Sequence, residues 1–230
     1  MNELAAQLFE HGPLYDRRFE ILRQLNDVKL RSGDILYRAS DAKGPLGLPF
    51  TKLVSKLTKS PFSHAAIVLV ENGQYNVLEV NDQGTLKHRM LDWLDTCYKE
   101  SLAIYRLKDL THKAEFKLKT EIVKFLEKDP DYDLNFSDPD KFYCTESIIE
   151  IYKNALDIKL IEGQTIWQTV NVFQYVLLWI GSYVSSFFGA SLPFGQKMYF
   201  PGNEKQGMIA SPYTYKVFEI TSNQEWKVEK

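Results

Sequence analysis

The sequence predicts an α+β protein in which a small antiparallel sheet packs on helices, with an apolar helical insert toward the C-terminal end. One observation is a tight hairpin: apolar arms at 63–70 and 75–80 flank Glu71-Asn72-Gly73-Gln74. Asn-Gly is the dipeptide that best tolerates the positive φ of a two-residue turn. The other is a pair of runs, 112–128 and 144–156, whose apolar residues recur every three or four positions. With 230 residues, 44% hydrophobic and 25% charged, the chain can bury a real core.

Taken in order, Leu14, Phe19, Leu22 and Leu25 with charges between them predict an amphipathic helix over 14–30. Arg31-Ser32-Gly33-Asp34 reads as a turn, Ile35-Leu36-Tyr37-Arg38 as a short strand, and 39–47, with Gly44-Pro45 and Gly47, as loop. Phe50, Leu53, Val54 and Leu57 make a helical stripe flanked by Lys52, Lys56 and Lys59. A solvated lysine face is the ordinary reading there, and a membrane-facing one the alternative. In the hairpin, a turn on Asn72 and Gly73 opposes Val70 to Tyr75, Val68 to Val77, Ala66 to Glu79 and His64 to Asn81. Opposed residues share a face, so His64, Ala66, Glu79 and Asn81 point the same way. After Asp82-Gln83-Gly84 the chain reads as irregular, up to a short helix over 90–98 that carries Trp93 and a packing Cys97.

A strand follows at 102–107, then a helix over 112–128 with Leu118, Ile122, Phe125 and Leu126 inward and His112 at its exposed start. Asp129-Pro130 ends it. Ser137-Asp138-Pro139 is a helix-start signal, and Ile148, Ile151, Tyr152 and Ala155 then lie on one stripe with Cys144. Residues 172–180, followed by Tyr183, Phe187 and Phe188, are rich in aromatics. Asn171, Gln174, Gly181, Ser182, Ser185 and Ser186 break that run, and a membrane span needs about 20 mostly apolar residues. An apolar helical insert within 160–200 is expected instead, with any peripheral membrane contact made through 172–188. Residues 211–220 read as a closing strand. The whole, 1–230, is expected to form one domain with a helical extension over 1–30.

Composition excludes several function classes. Net charge is −2 and no basic field or nucleic-acid motif is present, so no nucleic-acid partner is expected. The two cysteines, Cys97 and Cys144, and the four histidines, His11, His64, His88 and His112, form no Cys-x-x-Cys or His-x-x-x-His pair. No zinc site and no cofactor are expected. The first residues lack a basic stretch followed by an apolar core, so a cytoplasmic, reducing setting with free thiols is the expectation.

A lone cysteine on an apolar helix face is most often a small core residue. Here it opens a helix, where the positive end of the macrodipole favours a thiolate. A nucleophilic cysteine needs a base, and the base an orienting group on its other nitrogen. His64 supplies the first. Glu79, a charge in an otherwise apolar strand, needs a partner, and the His64 imidazole is its nearest candidate.

Gly33-Asp34-Ile35-Leu36, Ser63-His64-Ala65-Ala66, Leu78-Glu79-Val80, Tyr132-Asp133 and Phe142-Tyr143-Cys144-Thr145-Glu146, in that order, resemble the circularly permuted NlpC-type papain-like cysteine hydrolases, most closely their YiiX/YebB-like group. Histidine ahead of cysteine is the order that permutation produces. The resemblance implies a papain-like fold with Cys144 as nucleophile, His64 as base, Glu79 as orienter and Tyr132 helping to polarise the substrate carbonyl. It implies cleavage of an amide bond in a peptide or amino-acid-containing substrate. Two alternatives differ in class: a lipid acyl hydrolase or acyltransferase of the lecithin–retinol acyltransferase type, and a binding module on a retired hydrolase fold. Thr145 departs from the serine usual in the motif, and the aromatic insert is not part of it.

Overall fold

The hairpin forms where Asn72-Gly73 demands it, with φ of 50° and 77° at the two turn residues. It belongs to a computed structural model that describes residues 15–39, 60–81, 83–95, 102–131, 142–165 and 197–220. In chain order the elements are α1 (Tyr15–Val28), β1 (Ile35–Arg38), β2 (His64–Glu71), β3 (Gln74–Asn81), β4 (Gly84–Arg89), α2 (Met90–Asp95), β5 (Leu102–Leu107), α3 (His112–Lys128), α4 (Cys144–Leu156) and β6 (Thr214–Ile220). The six strands form one antiparallel sheet in the order β4-β3-β2-β1-β5-β6. Val70 pairs with Tyr75 and Val68 with Val77, the register that a turn on Asn72 and Gly73 dictates.

Helices cover both faces of the sheet. On one face Tyr37, Ala65, Ile67, Leu78 and Tyr105 pack with Leu118 and Ile122 of α3 and Ile148, Ile151 and Tyr152 of α4. On the other, Leu36, Ala66, Val68, Val77 and Ile104 pack with Ile21 and Leu25 of α1 and Met90, Trp93 and Leu94 of α2. Burial from both sides explains why β2 runs apolar without a break from Ala65 to Leu69.

Residues 84–89, expected to be irregular, form the edge strand β4, with Leu86 opposite Glu79 and His88 opposite Val77. Gly84, at φ 98°, makes the turn, and the polar sequence Thr85 to Arg89 suits an edge that meets water. The stripe at 50–57, Cys97, Tyr132, the start signal at 137–139, the insert at 172–188 and residues 1–14 lie outside the described residues.

The Gly33-Asp34 turn ties the layers together. A Cβ on Gly33 would stand 2.6 Å from Leu118 Cδ1, and the turn needs φ of 98°, so glycine is required on both counts. Tyr152 donates its hydroxyl to the Gly33 carbonyl at 2.6 Å, which fixes α4 to the start of β1. Asp34, fully buried, accepts from Arg106 Nε and Nη2 and from the Arg31 N–H, each at 2.8 Å. Removing one partner of such a pair strands the other charge, at a cost of roughly 3–5 kcal/mol. Asp34→Ala should therefore lower the unfolding free energy by about that amount in urea titration.

Candidate active site

Cys144 is the first residue of α4, preceded by Tyr143 in extended conformation at the N-cap, with no side-chain cap bond. Its neighbours on both sides are anchored to one later segment. The Tyr143 hydroxyl accepts from the Tyr199 N–H at 2.6 Å, and Thr145 Oγ1 donates to the Tyr199 carbonyl at 2.8 Å. Ser147 Oγ donates to the Cys144 carbonyl at 2.9 Å. The Tyr-Cys-Thr run thus holds its middle residue by its flanks, which leaves the half-buried thiol free of structural duties.

His64 is the first residue of β2, opposite Arg38 of β1. Its Nε2 lies 2.9 Å from Glu79 Oε2, and its other nitrogen is left for the hydrogen bond with Cys144. His64 and Glu79 belong to the sheet face covered by α1 and α2, whereas the body of α4 packs on the opposite face. Cys144 meets His64 because it opens α4 at the end of the sheet where β2 begins, where the Ala65 N–H also reaches the sulfur. Sequence reasoning named these three residues, and the fold brings them into one row. Tyr132, the fourth, lies outside the described residues.

Sequence reasoning set His64 and Asn81 on the face of Glu79 but missed Trp93, Arg38 and His88 around it. The carboxylate is 5% exposed and would be costly there without partners. Oε2 accepts from Trp93 Nε1 at 2.8 Å as well as facing His64, and Arg38 Nη2 stands 3.6 Å away. Oε1 accepts from Asn81 Nδ2 at 3.0 Å, with His88 Nε2 at 3.4 Å. Cross-strand pairing was the available signal: Arg38 opposes His64, and β4 sets His88 diagonal to Glu79, but only once β4 is recognised as a strand.

The electrostatics form an alternating row. Burial pushes the Cys144 thiol up, yet the His64 imidazolium, a hydrogen bond to that ring and the Ala65 and Thr145 N–H groups bring it below its ordinary value. Burial disfavours the charged ring of His64, but the Cys144 thiolate and the Glu79 carboxylate raise it to about 9. Burial opposes ionisation of Glu79, and His64, Arg38 and Trp93 overcome it, holding the carboxyl at about 2. Each shift favours the charged form of its group: thiolate for Cys144, imidazolium for His64, carboxylate for Glu79.

Glu79 binds fewer protons folded than unfolded, because its pKa drops from 4.5 to about 2. Its stabilisation is complete above pH 4.5 and is lost as pH falls toward 2. Between about pH 5.5 and 3 the loss is roughly 2 kcal/mol. Urea titrations should show wild type losing that much more unfolding free energy over this interval than Glu79→Gln.

Residues 29–217 match the family of permuted papain-like amidase enzymes of the YaeF/YiiX type, the C92 family. The uncharacterised protein YiiX of Escherichia coli K12 is 26% identical over 136 residues, 58% of this chain and 63% of that protein. This chain thus spans under two thirds of that relative's length. A crystal structure titled metalloprotein yiiX, from Escherichia coli O157:H7, superimposes with a TM-score of 0.66 at 22% identity, covering 83% of this chain and 98% of that one. Among the described residues no three His, Cys, Asp or Glu side chains are grouped to hold a metal ion. Glu79, the carboxylate between two imidazoles, is ringed by N–H donors and offers a cation little. With histidine ahead of cysteine and the match running from before β1 into β6, the chain belongs to the permuted papain-like amidases, a family of cysteine hydrolases.

Proposed function

We propose that this protein cleaves amide bonds in a peptide or amino-acid-containing substrate through a thioester formed on Cys144. The observation that carries this reading is the row of Cys144, His64 and Glu79 at the end of the sheet, with the thiol's proton affinity lowered and the ring's raised. The His64 ring beside the sulfur takes up the thiol proton, so Cys144 attacks as the thiolate.

The Cys144 sulfur adds to the carbonyl carbon, and the oxyanion is met by the Cys144 backbone N–H at the helix start and by Tyr132. The tetrahedral species collapses, the C–N bond breaks, and His64 passes its Nδ1 proton to the departing amine. The now neutral ring takes a proton from water, whose oxygen attacks the thioester. The C–S bond then breaks, releasing the carboxylic acid and restoring thiolate and imidazolium. Glu79 holds the Nε2–H throughout and stays ionised.

A cleft of 410 Å³ adjoins the segment that leads into β2, floored by Phe62, Tyr105 and Ile209 and rimmed by Glu204, Lys205, Lys216 and Glu219. None of Cys144, His64 and Glu79 lines it. Among the described residues no helix is long and apolar enough to cross a membrane.

Intact-protein mass spectrometry during incubation with a panel of peptides, amino-acid amides and lipid acyl donors tests this reading. An aminoacyl or peptidyl adduct on wild type, absent from Cys144→Ala, is the expected result; a fatty-acyl adduct assigns the lipid activity instead, and no adduct with any donor sinks the reading. His64→Ala should slow turnover by about 10²–10⁴-fold. Because the departing amine takes its proton from His64, kcat/KM should fall as pH rises through about 9, where that ring loses it.

A further inference from the structure

The mechanism uses the side chains of Cys144, His64, Glu79 and Tyr132, but a further one donates to the same Glu79 oxygen as His64. Trp93 of α2 sends its indole N–H to Glu79 Oε2 at 2.8 Å, beside the His64 Nε2 at 2.9 Å. A carboxylate oxygen has two in-plane lone pairs. With Trp93 on one of them, a single direction of approach remains for the imidazole. Trp93 is itself immobilised: it is 1% exposed, packs in one cluster with Ile21 and Leu25 of α1, and lies under the Arg38 guanidinium, 5.4 Å from the ring centre. Apolar packing alone would be served by phenylalanine; what the indole adds is one hydrogen-bond donor, and it is spent on the carboxylate that holds His64.

We propose that Trp93 is a positioning residue of the catalytic apparatus: its N–H fixes the plane of Glu79, and through Glu79 the ring of His64, so that the imidazole faces the Cys144 sulfur. The inference rests on the reading of Cys144 as the nucleophile. Its second consequence concerns basicity. An oxygen that already accepts from an indole is a poorer proton acceptor, so the shared proton stays on His64 Nε2. Among the described residues, the charged and titratable groups seen around the Trp93 N–H are Glu79, His64 and Arg38, with His88 at the other carboxylate oxygen; Ile21 and Leu25 of α1 pack in the same cluster.

Trp93→Phe keeps the ring and removes the donor. Alkylation of Cys144 by iodoacetamide at neutral pH measures the effect without any substrate. The variant should react roughly ten- to a hundredfold more slowly than wild type, the range expected for a lost hydrogen bond to a charged group. In wild type, the Trp93 indole N–H resonance, assigned by its loss in Trp93→Phe, should move downfield as pH rises through about 9, because a neutral His64 leaves Glu79 a stronger acceptor. Its midpoint should fall after Cys144 is alkylated, since the thiolate that raises His64 is then gone. Glu79→Gln should move the resonance upfield. If Trp93→Phe proves unstable, through-space contacts to its cluster neighbours Ile21 and Leu25 assign the resonance in wild type, and the wild-type titration stands. Wild-type activation of Cys144 with unchanged alkylation in Trp93→Phe, or an indole resonance indifferent to pH and alkylation, overturns this inference alone. A wild-type Cys144 that reacts no faster than a denatured thiol overturns the nucleophile reading together with it.

Discussion

A carboxylate kept ionised in the interior is the constraint to which the rest of this structure answers. Taking such a charge out of water is expensive unless every oxygen finds a donor. Glu79 meets that requirement with groups from several elements: His64 from β2, Asn81 from its own strand and Trp93 from α2, with Arg38 of β1 and His88 of β4 close by. Every strand from β1 to β4 has a stake in one side chain. The Cys144 sulfur and this carboxylate together raise the proton affinity of His64, and that ring in turn lowers the proton affinity of the thiol.

The scaffold gives this row its geometry by joining the two faces of the sheet at one end. His64 and Glu79 belong to the face under α1 and α2, and Cys144 comes from the helix on the other. A small error in the angle of α4 would separate sulfur from imidazole. Two anchors oppose that error: the Tyr152 hydroxyl on the Gly33 carbonyl at the middle of the helix, and Tyr143 and Thr145 on the Tyr199 backbone at its start. The Gly-Asp and Tyr-Cys-Thr blocks therefore have architectural reasons to exist beyond the one sulfur atom between them.

What the sequence made legible was local. Asn72-Gly73 set the hairpin register, and hence the shared face of His64 and Glu79, because turn chemistry and two-residue alternation are written in adjacent residues. The spacing of Leu118, Ile122 and Phe125 marked α3, and that of Ile148, Ile151 and Tyr152 marked α4. β4 escaped because an edge strand made of Thr85, Lys87, His88 and Arg89 has the polarity of a loop. With it went His88, and Trp93 stood on a short helix without a role, since an indole N–H gives no pattern in one dimension. Its partner lies 14 positions away on a different element.

The order of the chain has a consequence for how the protein is made. The histidine emerges from synthesis 80 residues before the cysteine, and the hairpin that carries it with its carboxylate closes through short-range contacts. The sulfur acquires its low proton affinity only when α4 docks, because the groups that confer it are the His64 ring and the Ala65 amide as well as its own helix. A nascent or unfolded chain carries an ordinary thiol, no more reactive than any other. Reactivity here is a certificate of completed folding, issued last and withdrawn the moment the helix lifts away.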